Sequence, residues 1–242
     1  MSKENTAVTK KKIKRCKEDV VFDAACFIIL TLVLFVVAYP LYWVIISSIS
    51  APSAVSSGKV LLHPIGFTLK GYAEVFKNDQ VMRGFLNSLI ITFCGVMVNL
   101  IVTLPTSYAL SRSNFSGKKP ITIFYLITMF FGGGLIPTYL LINNIGLLDS
   151  MWAVILPGAF SVWNMIIART YYQGIPRELR EAADVDGASE MRYFFNILLP
   201  VCMPVVAVLA LWQFVAMWNS YFDAMIYLNS ASKQPLQLVL RS

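Results

Sequence analysis

Charged residues in this sequence are gathered into clusters, and five long intervals between the clusters carry no charge at all. Those intervals are residues 24–58, 84–111, 120–148, 150–168 and 193–222. A helix needs about 20 apolar residues to cross a bilayer, so each interval is long enough to hold one. Only 14% of the residues are charged, against about a quarter in a soluble domain. The sequence therefore predicts a membrane protein.

The apolar runs in these intervals are continuous, whereas strands of a membrane barrel alternate apolar and polar residues. Backbone amides in lipid must be paired within the segment, which favours helices. We predict an all-α, polytopic transmembrane helix bundle over residues 21–242, with spans near 24–46, 86–110, 121–142, 151–168 and 201–219. In the third span, Gly132, Gly133 and Gly134 precede Pro137, which predicts a kink that serves packing or a flexing gate.

The net charge of +7 arises from the placement of basic residues beside the predicted spans. Seven of the twenty Lys and Arg residues precede Glu18, in a basic tail over residues 1–20. With the N-terminus in the cytoplasm, fourteen basic residues fall in cytoplasmic segments. The external segments between the spans and after the fifth hold five others, Lys59, Lys70, Lys77, Arg83 and Lys233, and Arg241, beyond the fifth span, is the twentieth. This bias is what the positive-inside rule requires, so we predict a multi-pass protein of the bacterial cytoplasmic membrane and no nucleic-acid partner.

The pattern of residues 175–200, a predicted cytoplasmic loop, is typical of helical structure. Arg177 with Glu181, and Arg180 with Asp184, are opposite charges spaced four apart, which supports a helix. Gly187 then supplies a position where the chain can bend without a Cβ clash. The pattern predicts a short helix, a bend and a second short helix that enters the fifth span at Pro200, an arrangement that can transmit a push from a partner.

Seven positions of this loop resemble the EAA loop of binding-protein-dependent ABC importer permeases. These positions are Glu181, Ala182, Ala183, Gly187, Ile197, Leu199 and Pro200. The resemblance implies the type I permease fold of ABC importers. It also implies that the loop forms a coupling helix, which docks in a groove of a cytoplasmic nucleotide-binding subunit.

Other segments are similar to the maltose-type carbohydrate permeases, within which they look most like the group associated with aldouronates and pectin fragments. The segments are 85–92, 133–139, 175–176, 186–188 and 218–219. The resemblance implies that the substrate is a carbohydrate, and specifically an oligosaccharide. It further implies a second permease subunit, a cytoplasmic ABC ATPase and an extracellular solute-binding protein as partners. Family members have six core spans; five are found here, and the sixth is expected to be missing after Leu236.

No GxxxxGK phosphate-binding loop occurs in the sequence, so we expect ATP and Mg to be bound by the partner ATPase. His63 is the only histidine, and a metal site needs several converging ligands. We therefore predict a transport subunit that is not an enzyme and binds no cofactor or metal.

A sugar path needs hydrogen-bonding side chains and aromatic faces that point into the bundle. Polar or aromatic candidates in or beside the spans are Asn87, Asn99, Asn164, Gln213, Trp218, Asn219, Tyr221 and Asp223. We favour Gln213, Trp218 and Asn219, because a spacing near two helical turns places residues close to one face. The alternative is that these side chains bond neighbouring helices or anchor the membrane interface.

Two other classes remain open at this point. An ion-coupled secondary transporter would place ionisable residues inside its spans, and the centres of these spans have none. A non-transporting membrane scaffold would not need the loop at residues 175–200. Within ABC importers, a substrate other than a sugar is also possible.

Overall fold

The computed structural model describes residues 17–241, and every regular element in that range is a helix. The all-α prediction is confirmed. Residues 1–16, which make up most of the predicted basic tail, lie outside the described residues, and the first helix begins at Lys17. The chain divides into two compact units, residues 1–75 and 76–242.

The first unit contains one long helix, α1 (Lys17–Ser48), which includes the predicted span 24–46. Its stretch Val21–Ser48 is long and apolar enough to cross a membrane, and no side chain in its most apolar window is buried within the described chain. Apolar side chains exposed along a whole helix require a lipid or protein environment. α1 is therefore a candidate membrane span.

A short loop region packs against the end of α1. α2 (Pro52–Ser56) follows α1, and α3 (Lys70–Lys77) begins near the end of this unit. The Trp43 indole Nε1 donates to the Val60 carbonyl at 2.8 Å. Ile46, Ala54 and Val60 are buried together. These contacts close a small core beneath the loop.

The second unit holds eleven further α-helices, a π-helical turn and a 3₁₀ turn within the described residues. The α-helices are α4 (Asp79–Ser111), α5 (Lys118–Phe130), α6 (Leu135–Asn144), α7 (Met151–Ile155), α8 (Val162–Gln173), α9 (Glu178–Val185), α10 (Glu190–Tyr193), α11 (Leu199–Val201), α12 (Met203–Trp218), α13 (Tyr221–Tyr227) and α14 (Leu236–Val239). The π turn spans Phe194–Leu198 and the 3₁₀ turn Ala231–Lys233.

α4 is the central helix of this unit, and α8, α12 and α14 pack against it. Most residues of its buried face are polar or small, such as Asn87, Gly95 and Asn99, and they alternate with a few apolar ones such as Ile91. Its exposed face is apolar, and Phe93 is 69% exposed. Small and polar residues at helix contacts with apolar residues outside are typical of helices packed in a membrane. α4 contains the predicted span 86–110 and is itself long and apolar enough to cross.

The predicted continuous span 121–142 is two helices in the structure. α5 and α6 meet at 111°, and the break contains Gly132 to Gly134. Gly134 has φ +87, a left-handed conformation that glycine adopts without strain. The chain bends at the predicted position, and the bend is large enough to divide the predicted span into two helices.

The predicted span 151–168 is also interrupted. α7 ends at Ile155 and α8 begins at Val162, so residues 156–161 separate them. Pro157 falls in this gap, and a proline removes a backbone donor from a helix. The fifth predicted span, 201–219, corresponds to α12, which follows the segment Glu190–Val201 at a bend of 81°.

Candidate functional site

The loop at residues 175–200 forms two short helices joined by a bend. α9 ends at Val185, and Gly187 follows with φ +70. A Cβ at Gly187 would meet no atom within 4 Å, so the backbone conformation, rather than space, favours glycine here. Ser189 then caps α10, since its hydroxyl accepts a hydrogen bond from the Arg192 amide at 3.3 Å. The predicted bend at Gly187 is present.

α9 has one face packed on the bundle and one face open. Ala183 is 3% exposed and lies in a buried cluster with Leu104 of α4 and Tyr172 of α8. Glu181 and Ala182 are exposed, and Val185 is 88% exposed. The open face therefore offers a surface of small and apolar side chains next to a carboxylate.

The remaining positions of the motif lead from α10 into α12. Ile197 and Leu199 are partly buried against the same cluster as Ala183, and Pro200 is exposed. The π turn Phe194–Leu198 ends two residues before Pro200. A proline has no amide to donate, and a π turn is a common local adjustment where the regular helical bonding is interrupted. This segment makes a continuous helical connection to α11.

A polar network holds the bend. The Arg180 guanidinium forks onto Glu190, with Nη1 to Oε2 at 3.0 Å and Nη2 to Oε1 at 2.8 Å. Arg180 also pairs with Asp184, at 2.7 Å, as the i, i+4 spacing predicts. Two further donors reach the same carboxylate: the Tyr108 hydroxyl of α4 at 2.5 Å, and Nη2 of Arg112, the residue that follows α4, at 3.0 Å. Glu190 therefore joins α9, α10 and α4.

Aromatic rings surround the inner side of this network. The Tyr108 ring lies 5.1 Å from Phe194, 6.2 Å from Tyr193 and 6.4 Å from Tyr172, measured between centroids. The Arg180 guanidinium carbon lies 4.7 Å from the Tyr193 centroid, within cation–π range. Tyr108 thus contacts rings from α8, from α10 and from the π turn.

An open cleft of about 500 Å³ lies beside the network. Its basic lining residues are Arg112, Lys118, Arg177 and Arg180, and its acidic ones are Glu181 and Asp184. The predicted pair between Arg177 and Glu181 does not form an ion pair in the structure, where both side chains line this cleft. The cleft is therefore a polar, predominantly cationic surface.

Two buried amides occupy the interruption between α7 and α8. Gln213 is 5% exposed, and its Nε2 donates to the Gly158 carbonyl at 3.0 Å. Asn99 is fully buried, and its Nδ2 donates to the Ala159 carbonyl at 3.2 Å. Carbonyls freed by a broken helix need donors when no water is present. Gln213 and Asn99 supply them.

Met217 packs into the same interruption between two glycines. A Cβ on Gly95 would lie 2.7 Å from the Met217 sulfur, and a Cβ on Gly158 would lie 2.5 Å from its terminal methyl. The close approach of α4, α12 and the interruption thus depends on both glycines lacking a side chain.

The three residues predicted for the sugar path do not share one face of α12. Six residues correspond to about 600° of helical rotation, so Gln213 and Asn219 are about 120° apart. Gln213 is buried against Gly158, whereas Asn219 is exposed and donates to the Val215 carbonyl at 2.8 Å. Trp218 is half-buried, and its ring stacks on Phe214 at 6.0 Å.

The other polar candidates also have structural surroundings. Asn87 Nδ2 donates to the Ser232 and Gln234 carbonyls at 2.8 and 3.0 Å. Asn164 is 5% exposed. Tyr221 is half-buried, and Asp223, two residues further along α13, is exposed. Asn87 therefore holds the segment before α14 against α4.

Asp149, which the sequence analysis did not single out, holds the segment 229–233. Asp149 accepts hydrogen bonds from the Asn229 amide at 3.0 Å and the Ser230 amide at 2.8 Å. It also accepts the Ser230 hydroxyl and pairs with Lys233 at 2.9 Å. These Ser230 bonds, with the Lys233 ammonium, hold the pKa of the Asp149 carboxyl well below its usual range. Its φ of +57 is left-handed, a conformation that Asp tolerates better than most residues.

Within residues 17–241 no three His, Cys, Asp or Glu side chains converge in a way that could hold a metal ion. The polar chemistry of the described sites consists of hydrogen bonds and ion pairs.

Comparison with known proteins gives one family and several relatives. The family model described as binding-protein-dependent transport system inner membrane component matches residues 19–230. The chain is 36% identical to the polygalacturonan/rhamnogalacturonan transport system permease protein YtcP of Bacillus subtilis, over 91% of this chain and 77% of that protein. It is 37% identical to the protein LplC of Bacillus subtilis, over 91% of this chain and 75% of that protein.

A solved structure is also similar. It is the crystal structure of a bacterial ABC transporter involved in the import of the acidic polysaccharide alginate. The similarity has a TM-score of 0.89 at 31% identity and covers 94% of this chain and 81% of that one.

Proposed function

Since this chain belongs to the family of binding-protein-dependent transport system inner membrane components, we propose that it is the permease subunit of an ABC importer for an oligosaccharide. ATP and Mg are bound by a separate ATPase subunit, and this chain carries no catalytic step. The family match over residues 19–230 is the observation that carries the proposal.

The substrate class is supported by the relatives. One is named for polygalacturonan and rhamnogalacturonan transport, and a maltodextrin permease of Bacillus subtilis is 30% identical over 89% of this chain. The similar solved structure belongs to an alginate importer. All three are named for polymers or oligomers of sugars, which supports an oligosaccharide over a monosaccharide.

We assign coupling to the loop that contains Glu181, Ala182, Ala183 and Gly187. The support is the division of α9 into two faces: Ala183 is buried on the bundle, and Ala182 and Glu181 are exposed. A partner that docks on the small exposed face can approach the backbone closely. Ile197, Leu199 and Pro200 then carry the displacement toward α12, because they lie on the helical segment Glu190–Val201, which meets α12 at a bend of 81°.

The partners follow from this assignment. The ATPase contacts the loop from the cytoplasm. The distribution of basic residues supports an N-terminus on the same side of the membrane. A second permease subunit completes the pathway, and an extracellular solute-binding protein delivers the sugar. The exposed apolar surfaces of α1 and α4 are available to lipid and to the second permease.

For the sugar path, Trp218 and Asn219 are the candidates that this geometry supports. Asn219 is exposed at the end of α12, and Trp218 offers an aromatic face beside it. Aromatic faces and amides are the groups that bind sugars. Gln213 has its amide engaged by the Gly158 carbonyl, so a contact with the sugar requires that this bond open.

The experiment that tests coupling uses Ala182→Phe with Ala182→Ser as the matched control. Ala182 is exposed, so a larger side chain there obstructs docking and leaves the bundle packed. We expect Ala182→Phe to abolish co-purification of the ATPase subunit and uptake of labelled oligosaccharide. Ala182→Ser should retain both.

Unchanged co-purification and uptake with Ala182→Phe would contradict the coupling assignment. Loss of both in Ala182→Ser would show that the effect comes from something other than size. The amount of folded Ala182→Phe protein in the membrane, measured by size-exclusion chromatography in detergent, must match that of the unsubstituted chain.

A further inference from the structure

We propose that Tyr108 and Glu190 form a second mechanical connection from the loop, so that α4 moves with α9 and α10 when a partner displaces them. The proposal rests on the proposed function and deepens it. Tyr108 and Glu190 are positioning residues, since neither is placed in contact with ATP or sugar.

The polypeptide chain itself connects the loop directly to α12 and does not connect it directly to α4. α10, the π turn and α11 join α9 to α12 along the chain, so a push on α9 reaches α12 directly. α4 is joined to the loop only through side chains. Without such contacts α9 and α10 can shift while α4 stays in place.

Glu190 is the point where these side-chain contacts meet. Its carboxylate takes four donors: two nitrogens of Arg180 from α9, the Tyr108 hydroxyl from α4, and Nη2 of Arg112, the residue that follows α4. Bidentate arginine–carboxylate contacts fix relative orientation as well as distance. The position of Glu190 therefore fixes α9 and the end of α4 together.

Charge balance supports a connection that holds as a unit. Two guanidinium groups, Arg112 and Arg180, face two carboxylates, Asp184 and Glu190. The Tyr108 hydroxyl donates to Glu190 and accepts from Arg180 at 3.4 Å. No charge in this set lacks a partner, so the set can move as a body with little change in its electrostatic energy.

Tyr108 adds a rigid contact below the charges. Its ring is packed against Tyr193, Phe194 and Tyr172 at centroid distances between 5.1 and 6.4 Å. Packed aromatic rings transmit displacement because interiors are dense and poorly compressible. Tyr108 is thus held at the ring by apolar contacts and at the hydroxyl by Glu190.

The carboxylates of these ion pairs are exposed, with Glu190 55% accessible at the side chain, whereas Arg112 is 29% and Arg180 16% accessible. Pairs with such exposure add little to stability. A network that spans three helices at small energetic gain is better explained by positioning than by stabilisation.

The test is Tyr108→Phe in the assembled importer, with Tyr171→Phe as matched control. Tyr108→Phe keeps the ring and removes the bond to Glu190, while Tyr171 lies on the exposed side of α8. We expect Tyr108→Phe to keep normal association with the ATPase and to lower uptake by about tenfold, the effect of one lost hydrogen bond to a charged group. Because ATP hydrolysis should fall less than uptake, the ATP consumed per sugar should rise. Tyr171→Phe should match the unsubstituted chain in both.

A second variant separates positioning from folding. Glu190→Gln removes the charge with the same shape, and the double variant Tyr108→Phe/Glu190→Gln should be no worse than the more severe single variant, since both act on one connection. Additive losses in the double variant would overturn the proposal. So would an unchanged ATP-to-sugar ratio in Tyr108→Phe. Failure of the ATPase to associate with the unsubstituted chain would instead refute the proposed function itself.

Discussion

Two interruptions of helical structure in the second unit, at Gly187 and at residues 156–161, are held in opposite ways. Around Gly187 the chain is exposed, and charged groups hold it: Arg180 forks onto Glu190 and pairs with Asp184. Residues 156–161 are themselves exposed or half-buried, and the side chains that hold them are buried and neutral: Gln213 and Asn99 donate amides to the freed carbonyls.

The difference follows from the solvent available to each region. Charged groups are costly in lipid and are tolerated at the membrane surface, where water also leaves their pairs weak and easily rearranged. Neutral amides satisfy freed carbonyls inside the bundle without burying a charge. The bend at Gly187 is therefore held by ion pairs at the surface, and the interruption at 156–161 by uncharged hydrogen bonds inside the bundle.

The largest expected effect is from Gln213→Leu. The substitution removes the buried amide that donates to the Gly158 carbonyl, which should lower the free energy of unfolding by about 1–3 kcal/mol. Thermal unfolding of the purified chain in detergent measures this. Gln80→Leu, in the exposed first turn of α4, is the control and should change stability little. Equal effects of the two would show that the buried amide has no special role.

The next effect is from Gly95→Ala. The new methyl group would overlap Met217, which is confined between Gly95 and Gly158, and overpacking should cost about 1–2 kcal/mol. Gly71→Ala is the control, because a Cβ there meets nothing within 4 Å. Adding Met217→Ala to Gly95→Ala should restore part of the loss. A wild-type unfolding temperature for Gly95→Ala would contradict the close packing.

A smaller effect is expected from Arg180→Lys. Lysine keeps the charge and loses the fork onto Glu190, so stability should fall by only about 0.5–1 kcal/mol. High salt distinguishes this variant from Gln213→Leu. Near 1 M NaCl, the loss of stability caused by Arg180→Lys should shrink, because salt screens charges at the surface. The loss caused by Gln213→Leu should persist. A salt-independent Arg180→Lys effect would place the bend in a buried environment.

The smallest change is expected in the pH dependence set by Asp149, which holds the segment 229–233. Its pKa is lowered in the folded chain, so its contribution to stability is complete above its ordinary pKa of about 4 and is lost as pH falls through the lower folded value. Between about pH 5 and pH 2.5 the unfolding temperature of the unsubstituted chain should fall more than that of Asp149→Asn. Parallel falls in the two would show that this carboxylate does not titrate with folding.

The sequence predicted the helical class, the motif of the loop and a kink at Gly132 to Gly134, since each depends on neighbouring residues. It did not predict that 151–168 would be interrupted, although Pro157 lies within it. The reason is that a proline in a membrane helix can be accommodated by neighbouring helices, and only the positions of Gln213 and Asn99 decided that the carbonyls could be freed here.

The roles of polar side chains were likewise decided by the tertiary structure. The sequence placed Gln213 with Asn219 on a sugar path, and packing against Gly158 gave Gln213 a partner 55 residues away. Tyr108 and Glu190 are 82 residues apart, and no local pattern connects them. The sequence by itself determined which segments are apolar enough to enter a membrane and which loop carries the family motif, because hydropathy and local spacing are properties of neighbouring residues. The tertiary structure alone decided which donor meets which acceptor, because that depends on how distant helices pack.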